Sequence, residues 1–299
     1  HSSLTNYNMV IFAKSGAGKS VTMKTLISRS AVLMGIQSLA LDAEGEYSIV
    51  AESLGGINVV LSPTSSTVIN IFDLETEIVK DEITGRERLV LNVENKVEDV
   101  TQALLTMARG STRSQEVNEL TKQIIAESVS EEYASLGING DPNSLYKTSN
   151  GSMVGNMLGK EKKEMPTIGS WYRRIQRKAE ENKNQDYSFH YSYLLKVMKQ
   201  YIREYDGQMA YFDGQSTFDL LDGTLFINLD ISQLEERFAR PLAQQILLAW
   251  IWEKYVKKNS EDRERASKKR VIVDEAWMLL PYPEAVDFLN TMARRARKR

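Results

Sequence analysis

The spacing of apolar and polar positions divides the chain into three stretches. Up to about residue 75, short apolar runs alternate with helical patterns. Residues 9–12 (Met-Val-Ile-Phe) read as a buried strand and residues 21–30 as a helix. Residues 36–41 form a second apolar run. Residues 47–54 have helical character that Gly55-Gly56 breaks, and residues 57–61 form a third run. A polar loop, 64–67, precedes Val68-Ile69-Asn70-Ile71-Phe72.

From about residue 75 to 205 strand signals vanish and helical periodicity dominates. Val97, Val100, Leu104, Leu105 and Ala108 share one face, ended by Gly110. Val117, Leu120, Ile124, Ile125 and Val129 form a second stripe. Residues 137–166, rich in Gly, Asn, Ser and Lys with Pro142 and Pro166, read as a loop. Thr167 can cap a helix with Trp171, Tyr172 and Ile175 on one side and Arg173, Arg174, Arg177 and Lys178 on the other. That basic, aromatic segment fits a solvated helix face or a contact with nucleic acid. A last helix carries Leu194, Leu195, Met198, Ile202 and Tyr205.

Strand logic returns at residues 224–229, followed by Asp230. Ser232 and Glu235 have the spacing of a capping box, and Pro241 fits the first turn of an apolar helix over 241–257. A charged loop, 259–269, leads to a strand over 270–273, and a final helix starts at Glu284. The pattern predicts an α/β fold with a mostly parallel, doubly wound sheet. Residues 1–80 and 211–299 form its two parts, and residues 81–210 form an all-α subdomain inserted between them.

Two stretches carry chemistry. The first is Ala13-Lys14-Ser15-Gly16-Ala17-Gly18-Lys19-Ser20. Strand, glycine-bearing turn, Lys-Ser and helix is the phosphate-binding P-loop arrangement. Gly16 and Gly18 let the backbone turn tightly, and the N–H groups that follow point at an anion on the positive end of the helix. Lys14, Ser15, Gly16, Ala17, Gly18, Lys19, Ser20 and Val21 are therefore the expected nucleotide contacts. Lys19 would reach the β- and γ-phosphates of ATP, and the Ser20 hydroxyl would bind Mg²⁺. Ala13 stands where the general pattern has glycine. The alternative, a chance Gly-Lys-Ser after an apolar run, does not account for the flanking strand and helix.

The second is Arg270-Val271-Ile272-Val273-Asp274-Glu275, a Walker B arrangement expected to lie buried beside the P-loop strand. Asp274 would hold the Mg²⁺ shell, and Glu275 would take a proton from water or orient it for in-line attack. A second carboxylate favours hydrolysis over transfer to a small molecule. Asp42 and Glu46 follow the second apolar run, at the sheet edge where open α/β folds bind ligands. One reading puts Asp42 on the metal and Glu46 near the attacking water. The other is a turn and a helix start, where acids are favoured. The basic cluster that includes Arg294 and Arg295 has three readings: a solvated helix face, an arginine supplied to a neighbouring subunit, or a nucleic-acid contact.

Bulk properties narrow the field. A net charge of −2 makes any nucleic-acid contact local rather than global. With no cysteine, disulfides and thiolate chemistry are excluded, which suits a reducing compartment. Two histidines, His1 and His190, leave little for a His-based metal site. No apolar run approaches the roughly 18–20 residues that span a membrane. His1-Ser2-Ser3 reads as a tag or cloning scar, and both ends read as those of a fragment.

On these motifs the chain resembles the HerA/FtsK superfamily of RecA-like motors. The segments A-K-S-G-A-G-K-S, D-A-E-G-E-Y, L-G-G-I-N-V-V-L-S-P, I-N-I-F-D-L and V-I-V-D-E-A-W-M-L-L carry the likeness. Of these, D-A-E-G-E-Y, I-N-I-F-D-L and D-E-A-W look most like the cytoplasmic ATPases of type IV secretion and conjugation, the TrbE/TraC-like family. The resemblance implies a RecA-like P-loop NTPase domain with an all-α lobe. It implies ATP hydrolysis coupled to substrate translocation or pilus biogenesis, in a homo-hexamer docked with other secretion components on the inner face of the membrane. A DNA translocase of the same superfamily, or a nucleotide-gated assembly module with little turnover, are its rivals. It implies functional roles for Asp42 and Glu46 and an inter-subunit arginine among residues 294–299. It also implies a further strand, with a polar γ-phosphate sensor, beyond Arg299.

Overall fold

The computed structural model describes residues 8–14, 16–80, 86–110, 117–147, 161–183, 187–218, 223–256 and 268–296. Its strands are β1 (Gln37–Asp42), β2 (Ile57–Val60), β3 (Glu77–Lys80), β4 (Glu87–Val90), β5 (Phe226–Asp230) and β6 (Lys269–Val273). Its α-helices are α1 (Lys19–Met34), α2 (Ser48–Ser53), α3 (Val93–Arg109), α4 (Glu119–Ser135), α5 (Ile168–Glu181), α6 (Ser188–Met198), α7 (Ala239–Ile251) and α8 (Pro283–Ala296). They belong to two units. One comprises His1–Thr67, Asp219–Trp252 and Ser260–Arg299, the other Val68–Phe218 and Glu253–Asn259.

The first unit is built on a parallel sheet in the order β2-β5-β1-β6. The two central strands are buried along their length, which is why they read as near-continuous apolar runs rather than alternating ones. Ile27 of α1, Tyr47, and Val50 and Ala51 of α2 pack with Ala40, Phe226 and Ile272 of the sheet. Gly56 admits the chain into β2, because a Cβ there would lie 2.1 Å from the Phe226 carbonyl oxygen. Helix α7 is apolar on almost every side and almost wholly buried. Pro241 sits in its first turn, as its spacing predicts. The capping differs from expectation. The Glu235 carboxylate accepts N–H bonds from Arg237, Phe238 and Ala239, while the Ser232 N–H turns to Asp230. Two carboxylate oxygens reach three N–H groups where a box would satisfy fewer.

The predicted strand at residues 9–12 is not formed. Residues 8–14 have no ladder bonds, and Phe12 is 91% exposed. Accordingly β6 lies beside β1, not beside a P-loop strand. An apolar run becomes a strand only where a neighbour offers a ladder and a face to bury, and among the described residues β6 pairs on its β1 side alone.

The second unit is mainly helical. Helices α3 to α6 bury Leu104, Ile125, Val129, Trp171, Ile175 and Leu194, and the Trp171 indole donates to Ser128 Oγ at 2.7 Å. Asn92, Asn118 and Thr167 cap α3, α4 and α5. This unit also carries an antiparallel hairpin, β3–β4, where the periodicity predicted no strand. Four-residue strands bearing Glu, Lys and Arg are too short and too charged to stand out against helical neighbours. The I-N-I-F-D-L segment is internal bracing here. Asn70 donates to the Pro166 carbonyl, and Asp73 accepts from Ser216 Oγ.

Candidate functional site

Three acids share the carboxyl edge of the sheet. Asp42 is opposite Asp230 in the register, and Asp274 follows β6, its N–H bonded to the Leu41 carbonyl. The P-loop turn comes to the same edge. Gly16 and Gly18 have φ of 77° and 85°, values that favour glycine, and the Ala17 N–H bonds to the Lys14 carbonyl. Gly18 is the N-cap of α1. No side chain caps that helix, in contrast to α3, α4 and α5, and no acid occupies its first turn, in contrast to α3 and α4. A helix start left in this state presents N–H groups and the positive dipole end to an incoming anion.

Lys19, in the first turn of α1, joins the two sequence motifs. Its Nζ lies 3.1 Å from Asp274 Oδ1 and also donates to Glu275 Oε1. Burial pulls the Lys19 pKa down, but the two carboxylates outweigh it and hold the ammonium above its usual range. The same contact, opposed by burial and aided by the Trp277 indole, keeps Glu275 below the usual carboxylate range. Asp274 goes the other way. Burial, with Glu275 and Asp42 nearby, outweighs Lys19 and raises it. The Gln244 amide of α7, fully buried, holds the Asp274 carbonyl at 2.8 Å and so fixes the backbone at the turn.

The D-A-E-G-E-Y segment is folded around Asp42. Its buried carboxylate accepts the N–H groups of Gly45, Glu46 and Tyr47 at 2.8, 3.1 and 2.9 Å, and the Asn228 amide at 3.1 Å. Both oxygens are thereby committed to the loop. Gly45 has φ of 72°, and a Cβ there would lie 2.8 Å from Ser232 Oγ. Glu46 pairs at 4.0 Å with Lys24 of α1, and Glu44 pairs with Arg240 of α7. Burial and the four surrounding carboxylates raise the Tyr47 phenol above its usual range, so it stays neutral.

The structure therefore brings Lys19, Asp274 and Glu275 together, with Asp42 and Glu46 in the adjoining loop. Lys14, Ala17 and Val21 are exposed, Ser20 is half-buried, and Ser15 lies outside the described residues. Arg294 is exposed on α8, while the Arg295 side chain and residues 297–299 lie outside the described residues. The basic side of α5 faces acids: Arg173 pairs with Glu204, Arg174 with Glu131 and Glu132, and Lys178 with Glu131. Among the described residues no cluster of three or more acids or histidines is set to hold a metal by itself. Asn228, Gln244, Arg240 and Trp277 escaped the sequence reading. An asparagine in the apolar run Phe-Ile-Asn-Leu and the pair Gln244-Gln245 in a mostly apolar helix were the available signals; Trp277 stood in the D-E-A-W segment, where nothing showed its contact with Glu275.

The chain matches the family described as "DUF87: Helicase HerA, central domain" over residues 3–213. It belongs to this family. The resemblance read from its motifs thus holds at the level of the HerA group. A search of curated proteins finds no match. Among solved structures, the chain is similar to VirB4 of Thermoanaerobacter pseudethanolicus, with a TM-score of 0.68 and 23% identity. The likeness covers 96% of this chain and 65% of that one, so the chain spans less than two thirds of that protein's length. At this identity the likeness concerns the fold: an α/β unit with a parallel four-stranded sheet. Among the described residues no helix is long and apolar enough to cross a membrane.

Proposed function

We propose that this chain is the ATP-hydrolysing part of a motor of the type IV secretion and conjugation class. The observation that carries the proposal is the bridge from Lys19 to Asp274 and Glu275, which joins a phosphate-binding helix start to a pair of acids. The N–H groups of the P-loop and the Lys19 ammonium hold the phosphates of ATP. A γ-phosphate competes for Lys19, and its departure releases Glu275 Oε1. Glu275 then accepts a proton from the water that attacks in line, and ADP and phosphate leave. Ser20 and Asp274 offer the hydroxyl and carboxylate that would hold Mg²⁺, which would neutralise phosphate charge there. With its oxygens taken up by the loop, Asp42 acts as an anchor that presents Glu46, not as a metal ligand.

The assembly implied by the class is a homo-hexamer, with an arginine such as Arg294 or Arg295 entering a neighbour's site. Its partners are secretion components at the inner face of the cell membrane, and its cargo is protein or DNA. The family description names a helicase, which favours a second reading as a DNA translocase.

Lys19→Ala and Glu275→Gln should each reduce the steady-state release of phosphate from Mg-ATP by about 100-fold or more. Undiminished turnover in both variants would remove the hydrolytic reading.

A further inference from the structure

The bonds around Glu275 divide its two oxygens between two donors. Lys19 Nζ donates to Oε1, and the Trp277 indole N–H donates to Oε2. The backbone arranges this. Glu275 has φ of 48° and ψ of 41°, one of two non-glycine residues at positive φ among the described residues. That turn carries the chain from β6 into a short 3₁₀ turn, Ala276–Leu279, closed by the Met278 N–H on the Glu275 carbonyl. Met278 and Leu279 are buried and fix the turn. Trp277 is left over the carboxylate with 58% of its surface exposed, whereas Trp171, Trp250 and Trp252 are buried. A strained backbone beside an exposed aromatic asks for a functional reason.

We propose that Trp277 is a positioning residue for Glu275: its indole keeps Oε2 and aims Oε1 at the attacking water once phosphate has drawn Lys19 away. The proposal rests on the hydrolytic reading above. The two donors are unequal. Lys19 is a cation at an uncapped helix start, where a phosphate competes for it. The indole is neutral, so the charge of an arriving phosphate draws its N–H far less than it draws the Lys19 ammonium. A carboxylate fixed through one oxygen has its other oxygen directed, and the orientation need not be found anew in each turnover.

Trp277→Phe keeps an aromatic ring and removes the N–H. It should lower kcat by about 10- to 100-fold with KM for ATP and the melting temperature unchanged. Trp277→His, which retains a ring N–H, should recover part of the loss. Unchanged kcat in Trp277→Phe would overturn the proposal, as would an equal loss in both variants accompanied by a fall in melting temperature, which marks packing. A second measurement needs no turnover. The difference in emission between the wild-type protein and Trp277→Phe isolates Trp277, and Glu275→Gln should shift that emission in nucleotide-free protein. An unshifted spectrum would overturn the contact. If Glu275→Gln abolishes turnover and Trp277→Phe leaves kcat unchanged, the positioning role falls and the hydrolytic reading stands. If turnover survives Glu275→Gln, the hydrolytic reading falls and takes the proposal with it, and the emission shift still tells whether the two side chains meet.

Discussion

At the residue scale, the position of Asp42 separates two readings that spacing alone left level. A carboxylate after a core strand can hold a metal or tie a turn. Here it accepts three backbone N–H groups of the loop that follows it and the amide of Asn228 on β5. Removing it leaves several buried donors without an acceptor, at about 1–3 kcal/mol each. Asp42→Ala should therefore lower the melting temperature by several degrees in metal-free, nucleotide-free buffer. A residue needed only for metal would leave that temperature unchanged in the presence of a chelator. The meeting of Lys19 with Asp274 and Glu275 was legible in sequence because the P-loop and Walker B patterns are short and strict about residue type. The loop anchor was not, because its partners are backbone N–H groups that any residue supplies.

At the scale of elements, β1, β2, β5 and β6 announced themselves as apolar runs bounded by glycine or acids, and the helices by stripes and caps. The failures were at residues 9–12 and at the β3–β4 hairpin, where pairing rather than local composition decides. The same holds for the ion pairs that brace the second unit. Glu75 lies within 2.7 Å of Lys162 and 2.8 Å of Lys254, and its backbone N–H donates to Glu253. Lys254 also pairs with Asp73. Burial raises the Glu75 pKa, but the two ammonium groups prevail and hold it below its ordinary 4.5. A depressed pKa contributes stability that is full above the unfolded value and is lost as pH falls through the folded one. The wild-type protein should therefore be more stable than Glu75→Gln at pH 6. Thermal unfolding followed by circular dichroism should show that margin shrinking below about pH 4.5. A margin constant from pH 6 to pH 3 would show that the ammonium groups do not act on Glu75 as a titrating acid.

At the scale of the molecule, the question is what completes the charge around a γ-phosphate. The cation bonded to Asp274 and Glu275 is Lys19. Arg240, at the start of α7, is held by Glu44 and the Ser232 carbonyl. Arg173 and Arg174 of α5 are drawn into acid pairs within the second unit, and Arg294 stands exposed on α8. An arginine brought to the transferring phosphate is worth about 10³–10⁵ in rate, so a site that borrows one from a neighbour turns over slowly alone. The specific ATPase rate should accordingly rise steeply with protein concentration, and Arg294→Ala should flatten the rise while leaving nucleotide affinity intact if that arginine is the one lent. A rate per chain that is constant over a hundredfold range of concentration would show that the site is complete within one chain. Added DNA distinguishes the two motor readings in the same assay. With a net charge of −2 and Arg173, Arg174 and Lys178 of α5 already paired, the secretion reading with a protein cargo expects turnover indifferent to DNA at any salt concentration. Stimulation that fades as salt rises is the signature of phosphate contacts and would favour the translocase.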